Sequence, residues 1–256
     1  MTGDPEKAPV AIVTGAGPGT GHAIARRFAA GGYRTAMIAR RAERLQELAA
    51  AVSAELAADD SADPAGDVTP YTCDVADPDA LQQTLDRIRA ELGPARVLVH
   101  NAVRARFGSF AEITAEDLER NFAVNTTSLL RLAQVLTPDM MAANDGRGDG
   151  AIICTGNTSA HRGKARFAGF APTKAAQRIL AQAMARDLGP KGVHVAYVTI
   201  DAVIDQPLTR QGAFADRPDD FFITPAAIAD EIWHVAHQNR SAWSFDVELR
   251  PFGETW

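Results

Sequence analysis

VAIVTGAGPGTG, residues 10–21, is the stretch that decides the fold. Its apolar, β-branched-rich start ends in a glycine-rich turn, and residues 22–31 follow with helical spacing. A short apolar run of this kind predicts a buried parallel strand. The glycines let the backbone turn sharply and lie close to a pyrophosphate, which the N–H groups and positive end of the next helix bind. The stretch therefore predicts a nucleotide site, with an ordinary tight strand-to-helix turn as the alternative.

The composition of the 256-residue chain is that of a soluble globular protein, with 46% hydrophobic and 23% charged residues. A chain of this length buries a large core and is often one domain when the fold is α/β. Its net charge of −6 argues against nucleic acid or an anionic membrane as the main partner. No apolar run approaches the roughly 20 residues of a membrane helix, and residues 1–9 lack the apolar core of a signal peptide. We therefore expect a cytoplasmic protein.

The cysteines and histidines do not form a metal-binding pattern. Cys73 and Cys154 each end a predicted strand, which favours buried reduced thiols over a disulfide or a metal pair. No His/Cys cluster has metal-ligand spacing, and no Ser-His-Asp set is recognisable. We expect no bound metal.

Strand-like and helix-like segments alternate along the whole chain. Strands are predicted at 10–14, 34–39, 69–73, 96–100, 151–155, 193–200 and 244–249. Helices are predicted at 22–31, 41–57, 77–92, 114 to about 141, 168–188 and 225–237, with Asp77-Pro78 and Thr224 at two of the starts. The alternation predicts an α/β fold, a single-domain doubly wound parallel sheet of the Rossmann type. Ligands bind beyond the carboxyl ends of such strands, where Thr14, Arg40, Asp74, Asn101 and Thr155 are expected to meet.

Several motifs, in order, resemble those of the short-chain dehydrogenase/reductase family. They are Thr14-Gly15-x-x-x-Gly19-x-Gly21, Cys73-Asp74-Val75, His100-Asn101-Ala102-Val103, Asn125, Thr173-Lys174-Ala175-Ala176 and Leu249-Arg250-Pro251-Phe252. The third has His and Val where the family has Asn and Gly. The likeness extends over essentially the whole chain.

The resemblance implies a nicotinamide dinucleotide cofactor and a set of residues around it. The implied cofactor-binding residues are Thr14, Gly15, Gly17, Gly19, Gly21, Asp74, Val75, Asn101, Ala102, Lys174 and Ile204. By the same resemblance, Lys174 is the catalytic lysine and Asn125 holds a water in the proton relay. It also implies a small-molecule substrate, a substrate loop at about 201–223, and a homodimer or homotetramer.

The residues after the second strand favour NADP(H) over NAD(H). An acidic residue there would bind the ribose 2′-hydroxyl and repel a 2′-phosphate, but this chain has Arg40 followed by Arg41. A guanidinium pairs well with a phosphate. The alternative is that both arginines are solvated charges at the start of a helix.

The chain departs from the family at its proton donors. The family has Tyr-x-x-x-Lys, whereas this sequence reads Phe170-Ala-Pro-Thr-Lys174, and the family serine falls on Asn157. Both hydroxyls of the usual apparatus are therefore expected to be missing, and Tyr197 lies inside a predicted strand. General acid catalysis of this type is worth about 10²–10⁴-fold, so an unassisted ketone reduction would be slow.

Three hypotheses remain open from the sequence. The first is an NADPH-dependent reductase of a small apolar substrate that needs little acid help, such as an imine or an activated C=C, with Asn157 as a hydrogen-bond donor. The second is a carbonyl reductase whose substitute acid is His161, Asp201 or Asp205, although ordinary surface or loop roles are more common for such residues. The third is a non-catalytic or non-redox nucleotide-binding protein, because the fold alone does not decide function. Phenylalanines in the substrate loop, Phe214, Phe221 and Phe222, favour the reductases, since such a loop covers an apolar substrate.

Overall fold

The computed structural model describes residues 8–64, 66–211 and 214–253, which fold around one parallel sheet. Seven strands run in the spatial order β3-β2-β1-β4-β5-β6-β9. Their bounds are β1 Val10–Thr14, β2 Arg34–Ala39, β3 Asp67–Thr72, β4 Ala95–His100, β5 Gly150–Asn157, β6 Val193–Ile200 and β9 Asp246–Leu249. Every pairing in the sheet is parallel. The predicted doubly wound architecture is confirmed.

Helices cover both faces of the sheet. Their bounds are α1 Thr20–Ala30, α2 Ala42–Ala57, α3 Pro78–Leu92, α4 Ala115–Phe122, α5 Ser128–Ala142, α6 Ala171–Leu188, α7 Pro207–Arg210 and α8 Pro225–Ala236. One core joins α1, α2 and α8 to the sheet, and the other joins α3, α5 and α6 to the opposite face. Because both faces are covered, all eight residues of β6 are buried, as expected of a central parallel strand.

Helix starts follow the capping chemistry of the sequence. The Asp77 carboxylate accepts hydrogen bonds from the backbone of Asp79 and Ala80, both at 3.0 Å. The Thr224 hydroxyl accepts from Ala227 N at 3.2 Å. Each cap satisfies a backbone N–H that has no partner inside its helix. The predicted starts at Asp77-Pro78 and Thr224 are confirmed.

The long helical stretch predicted from 114 to about 141 is confirmed, but the sequence did not show that it contains a π turn. The segment is α4, then the π-helical turn Ala123–Thr127, then α5. Two sets of side-chain hydrogen bonds stabilise the π turn. The Asn125 side chain bonds to the backbone of the loop after β4, and the Ser128 hydroxyl donates to Val124 O at 2.7 Å. A π turn leaves the apolar pattern of the sequence nearly unchanged, and such turns are frequent at functional sites.

The helix predicted at 168–188 begins later, at Ala171. Its expected first turn is used by an isolated bridge between Gly108 and Phe167, in which Ala168 N donates to Gly108 O at 3.1 Å. Other element ends differ from the predictions by a few residues, as in β3 and β9. The bridge joins the loops that follow β4 and β5.

The segment 201–223, predicted as irregular, contains short regular elements. β7 Val203–Ile204 and β8 Phe222–Ile223 pair in parallel as a separate two-stranded sheet, and α7 lies between them. Two-residue strands have no measurable periodicity, so the sequence did not reveal them. Residues 212 and 213 of this segment lie outside the described residues.

None of the helices in the described ranges is both long enough and apolar enough to cross a membrane.

Candidate functional site

A cleft of about 370 Å³ opens at the carboxyl edge of the sheet, beside the ends of β1, β2 and β4. The predicted cofactor-binding residues in its wall are Gly15, Gly17, Gly21, Arg40, Arg41, Asp74, Val75, Asn101, Ala102 and Ile204. Thr14, Gly19 and Lys174 do not line it. Thr14 is buried below the turn, where its hydroxyl accepts from Ala102 N at 3.3 Å, and Gly19 is the N-cap of α1.

The turn after β1 needs glycine at two positions of close approach. At Gly15, where φ is +70°, an added Cβ would lie 2.7 Å from the backbone of Ala102. At Gly21 it would lie 2.3 Å from Gly15 O. The Asn101 amide also donates to Gly15 O at 3.0 Å, which ties the turn to the end of β4. A Cβ at either position would collide with backbone, so glycine is what lets this turn close into a backbone cradle.

The N-terminus of α1 opens into this cradle. Within the described part of the chain, no side chain caps it and no acidic residue lies in its first turn. Such a helix end presents backbone N–H groups and a partial positive charge, which is the arrangement that binds a pyrophosphate. The residues present fit a dinucleotide.

Three arginines line the far end of the cleft: Arg40, Arg41 and Arg44. All three are exposed, and none of their side chains makes an ion pair or hydrogen bond with another residue in the described ranges. Arg44 was not predicted from the sequence, although its spacing of three from Arg41 at the start of α2 places both on one helix face. Gln206, another cleft residue that was not predicted, has its Oε1 3.0 Å from the position of a Cβ at Gly19.

The side wall of the cleft follows β3. Asp74 accepts a hydrogen bond from Ala76 N at 3.1 Å through one carboxylate oxygen, and Val75 is buried beside it. Cys73 also lines the cleft. Burial raises the pKa of the Cys73 thiol, and Cys154 is likewise buried with its pKa raised to about 12. Both cysteines are free, as predicted.

Lys174 lies on α6 with its ammonium directed into the protein. Only 3% of the residue is exposed. Its Nζ donates to Thr155 O at 2.9 Å and to the Gln177 side-chain oxygen. Burial disfavours the charged form and lowers the pKa of Lys174 to about 8.

The Lys174 contacts continue into a buried chain of polar side chains. Gln177 Nε2 lies 3.0 Å from His100 Nδ1, and His100 Nε2 lies 2.8 Å from the Ser128 hydroxyl. His100 is fully buried, and desolvation lowers its pKa to about 3, so that it is neutral. The sequence showed His100 as a departure from the family motif but did not show what it contacts.

Phe170, four residues before Lys174, belongs to a cluster of aromatic rings. It is 3% exposed, and its ring centre lies 5.2 Å from that of Phe107. Phe107 packs edge-to-face on Phe167 at 5.0 Å. The cluster lies where the Gly108–Phe167 bridge joins the two loops, so Phe170 is held in an apolar environment.

The two predicted site asparagines differ in their free hydrogen-bonding capacity. Asn157 ends β5, and its side-chain oxygen accepts from Ser159 N at 3.0 Å, while its amide nitrogen bonds to no other residue that the structure describes. Asn125 donates to Arg104 O at 2.9 Å and to the Thr173 hydroxyl at 2.8 Å, and it accepts from Arg104 N at 2.9 Å. The Asn125 side chain therefore anchors the loop after β4 to α6.

The three candidate substitute acids have different partners. Asp201 pairs with Arg250 at 2.9 Å, and Asp205 receives two hydrogen bonds from Arg210 at 2.7 and 2.9 Å. Those bonds hold the pKa of Asp205 below its usual value, so the carboxyl is ionised at neutral pH. His161 Nε2 contacts the Thr199 hydroxyl at 3.1 Å and has no carboxylate partner among the described residues.

The loop phenylalanines pack mainly on each other. Phe214 lies 5.7 Å from Phe221, and Phe221 lies 5.3 Å from Phe222, which is buried and carries the Arg210 guanidinium over its ring. Tyr197 is fully buried, and its hydroxyl donates to the backbone oxygen of Lys174 at 3.5 Å.

Across the described ranges, no three His, Cys, Asp or Glu side chains are grouped so that they could hold a metal ion.

Comparison with known proteins gives matches that span most of the chain. The family model described as short chain dehydrogenase matches residues 9–211. An uncharacterized short-chain type dehydrogenase/reductase of Sinorhizobium fredii is 32% identical over 205 residues, which cover 75% of this chain and 73% of the relative.

Solved structures are similar over almost the full length. A metagenomic short-chain oxidoreductase in complex with NADP has a TM-score of 0.78 and 27% identity, and covers 95% of this chain and 97% of its own. An NADPH-bound short-chain oxidoreductase from Pseudomonas aeruginosa, described as containing an atypical catalytic center, has a TM-score of 0.82, with 97% of both chains covered. At 23% identity, this last likeness is one of fold alone.

Proposed function

Because the chain belongs to the short-chain dehydrogenase/reductase family, we propose that it is an NADP(H)-dependent oxidoreductase with an atypical active site. Phe170 stands at the position of the family's acidic tyrosine, and Asn157 stands at that of its serine. The substrate is a small apolar molecule with an imine, an activated C=C or an activated C=O group.

The preference for NADP(H) over NAD(H) rests on Arg40, Arg41 and Arg44. Three unpaired guanidinium groups at the ribose end of the cleft favour a 2′-phosphate, which forms charge-assisted and bidentate hydrogen bonds with arginine. The NADP complex of the metagenomic relative supports the same cofactor.

When bound, the cofactor supplies a hydride, and the protein has to orient the substrate and provide a proton. Asn157 donates from its free amide nitrogen to the substrate. Lys174 is mostly protonated at neutral pH, since its pKa is about 8, and supplies the proton directly or through water. Asn125 positions Lys174 indirectly by bonding to Thr173, while the ring of Phe170 donates no proton.

Substrate choice follows from that weak proton supply. An imine that is already protonated in solution needs no acid, and hydride addition to an activated C=C gives a stabilised anion. The aromatic cluster of Phe107, Phe167 and Phe170 and the described residues of the segment 201–223 exclude water from such an apolar substrate. A ketone reductase would need a substitute acid, and His161 is the strongest of the three candidates because Asp201 and Asp205 each form an ion pair with an arginine.

A non-catalytic nucleotide-binding protein is the second candidate function. The observation in its favour is that Lys174 Nζ bonds to Thr155 O and Gln177 and lies outside the cleft lining. We also propose a homodimer or homotetramer in the cytoplasm, and light scattering after size exclusion measures the oligomeric state.

The deciding experiment is NADPH binding by fluorescence, followed by NADPH oxidation with panels of imines, enones and ketones. Turnover with imines or enones but not ketones supports the proposal. Tight binding with no turnover on any panel supports the non-catalytic function. No binding of NADPH at saturating concentrations refutes both.

A second experiment restores the family hydroxyls. Phe170→Tyr with Asn157→Ser should raise ketone reduction by at least about 10²-fold if the missing acid is the only obstacle. Phe167→Tyr is the matched control, since it adds a phenol to the same aromatic cluster three residues away from the position of the family's tyrosine. Equal activity in the double variant and the control would show that the pocket itself has diverged.

A further inference from the structure

The buried side chains behind Lys174 form one continuous hydrogen-bonded chain across three elements. It runs from Lys174 and Gln177 on α6 to His100 at the end of β4 and then to Ser128 on α5, ending on Val124 O. All four side chains are buried, with exposed fractions between 0 and 3%. Buried side chains that are hydrogen-bonded to one another in series favour a single arrangement.

The donor and the acceptor of every hydrogen bond in this series can be assigned by starting from the last acceptor, the Val124 carbonyl. The Val124 carbonyl can only accept, so the Ser128 hydroxyl donates its single proton to it. The Ser128 oxygen then accepts from His100, which places the imidazole proton on Nε2. His100 Nδ1 is therefore an acceptor, and the nitrogen of the Gln177 amide has to face it.

The direction of these hydrogen bonds determines which atom of the Gln177 amide faces Lys174 Nζ. With its nitrogen toward His100, the Gln177 amide turns its oxygen to Lys174 Nζ. The reversed amide would set an NH₂ group against the ammonium and an oxygen against the lone pair of His100, which are two repulsive contacts. An ammonium has three N–H donors, and Thr155 O and Gln177 accept two of them, which leaves one for a ligand.

We propose that Gln177, oriented by His100, is a positioning residue that fixes the place and the hydrogen-bond partners of Lys174 Nζ. The two side chains hold the lysine in a site where no phenol lies four residues before it. A role of this arrangement in cofactor binding rests on the proposed function. The positioning of Lys174 by Gln177 and His100 does not depend on it.

Lys174 is the titrating group of this site near neutral pH. The titratable groups that interact with it are His100 on β4 and Cys154 on β5, and the Tyr197 hydroxyl on β6 bonds to its backbone oxygen. Burial keeps all three neutral, since it lowers the pKa of His100 to about 3, raises that of Cys154 to about 12 and raises that of Tyr197. A titration between about pH 6 and about pH 10 therefore reports the lysine.

The test is the pKa of Lys174 measured by NMR on protein with labelled lysine side chains. The chain has only Lys7, Lys164, Lys174 and Lys191, so the resonances can be assigned by substitution. Gln177→Met removes the acceptor and should lower the pKa of Lys174 by about 1 unit, a tenfold loss of proton affinity. Gln177→Glu, which keeps an oxygen there and adds charge, should raise it above the wild-type value.

His100→Phe tests the orientation of the Gln177 amide separately from its contact with Lys174. The substitution keeps a ring at position 100 and leaves Gln177 itself unchanged. It should lower the pKa of Lys174 in the same direction as Gln177→Met, since the amide is no longer held with its oxygen toward Nζ. The exposed Lys191 is the internal control, and its NMR signal at each pH should be the same in every variant.

Two outcomes separate this proposal from the function it builds on. A Lys174 pKa that stays constant in Gln177→Met and His100→Phe, even with a lower melting temperature, overturns the positioning role. Shifted pKa values with an unchanged pH profile of NADPH affinity support the positioning role and refute a part for Lys174 in cofactor binding.

Discussion

Arginine substitutions at the ribose end of the cleft test the cofactor preference most directly. Arg40, Arg41 and Arg44 are exposed, line the cleft and have no ion-pair partner within the described ranges. Replacing any one of them with alanine removes no side-chain hydrogen bond or ion pair among those residues. The effect on a ligand is therefore separable from an effect on stability.

Solvent screening limits the contribution that each exposed arginine makes to the binding free energy of NADPH. A hydrogen bond to a charged group contributes about 1.5–3 kcal/mol, but exposed ion pairs usually contribute about 1 kcal/mol or less. We take about 1 kcal/mol for each arginine, which weakens NADPH binding about fivefold per substitution. The triple alanine variant then loses about 10²-fold if the three cations act independently. Arg40→Asp should lose more than Arg40→Ala, because a carboxylate repels the phosphate.

The assay is fluorescence titration with NADPH and NADH on the same protein. Only NADPH carries the 2′-phosphate, so the dissociation constant for NADH should change less than about twofold. Raising the salt from about 0.1 M to about 1 M should narrow the NADPH preference, since the Debye length falls from about 10 Å to about 3 Å. Arg186→Ala, an exposed arginine on α6, is the control and should change neither constant.

Two results would refute the reasoning. Equal losses for NADPH and NADH in the arginine variants would show that these residues contact a group common to both. An unchanged ratio of the two affinities in Arg40→Asp would show that the arginines are solvated helix-start charges.

Three further predictions concern the cradle, the buried lysine and a tight helix contact. Gly21→Ala should reduce NADPH affinity at least about tenfold in fluorescence titration, because the added Cβ would lie 2.3 Å from Gly15 O; affinity within twofold of wild type contradicts the cradle. Lys174 has its pKa lowered to about 8, so the folded state releases its proton before the unfolded state does, and stability rises with pH. The difference in unfolding free energy between the wild type and Lys174→Met should therefore rise by about 1.4 kcal/mol per pH unit between about pH 8 and about pH 10. Urea melts in which this difference does not change with pH would contradict the lowered pKa. Gly31→Ala should destabilise by about 1–3 kcal/mol because its Cβ would meet the Trp233 ring at 2.2 Å, and Trp233→Leu should relieve part of that cost; strict additivity in a double-mutant cycle would rule out the contact.

The alternation of strands and helices was sufficient to predict the architecture. The period of the apolar residues and the glycine turn at 15–21 report local backbone geometry, which each segment carries in its own residues. The same holds for the caps at Asp77 and Thr224, since a cap is a contact within four residues. The π turn at Ala123–Thr127 was not predictable in this way, because bonds to residues 104 and 173 hold it.

In the candidate site, too, some features could be predicted from the sequence and others could not. The residues lining the cleft follow the ends of strands, so their positions could be inferred from the motif order along the chain. The partners of Lys174 could not, because Gln177, His100 and Ser128 come from three elements that meet only when α5 and α6 pack on the sheet. Nothing in the spacing of these residues indicates that an amide and a neutral imidazole share one buried chain.

The sequence by itself determined the parallel α/β sheet, the glycine cradle and the absence of a tyrosine four residues before Lys174, since each is a property of a short stretch of residues. Only the tertiary structure decided where the lysine points, which arginines share the cleft, and how the ring of Phe170 is packed. The physical reason is that burial and hydrogen bonding act between residues far apart in the chain. A side chain's charge state and direction depend on those neighbours, whatever the residue's own identity.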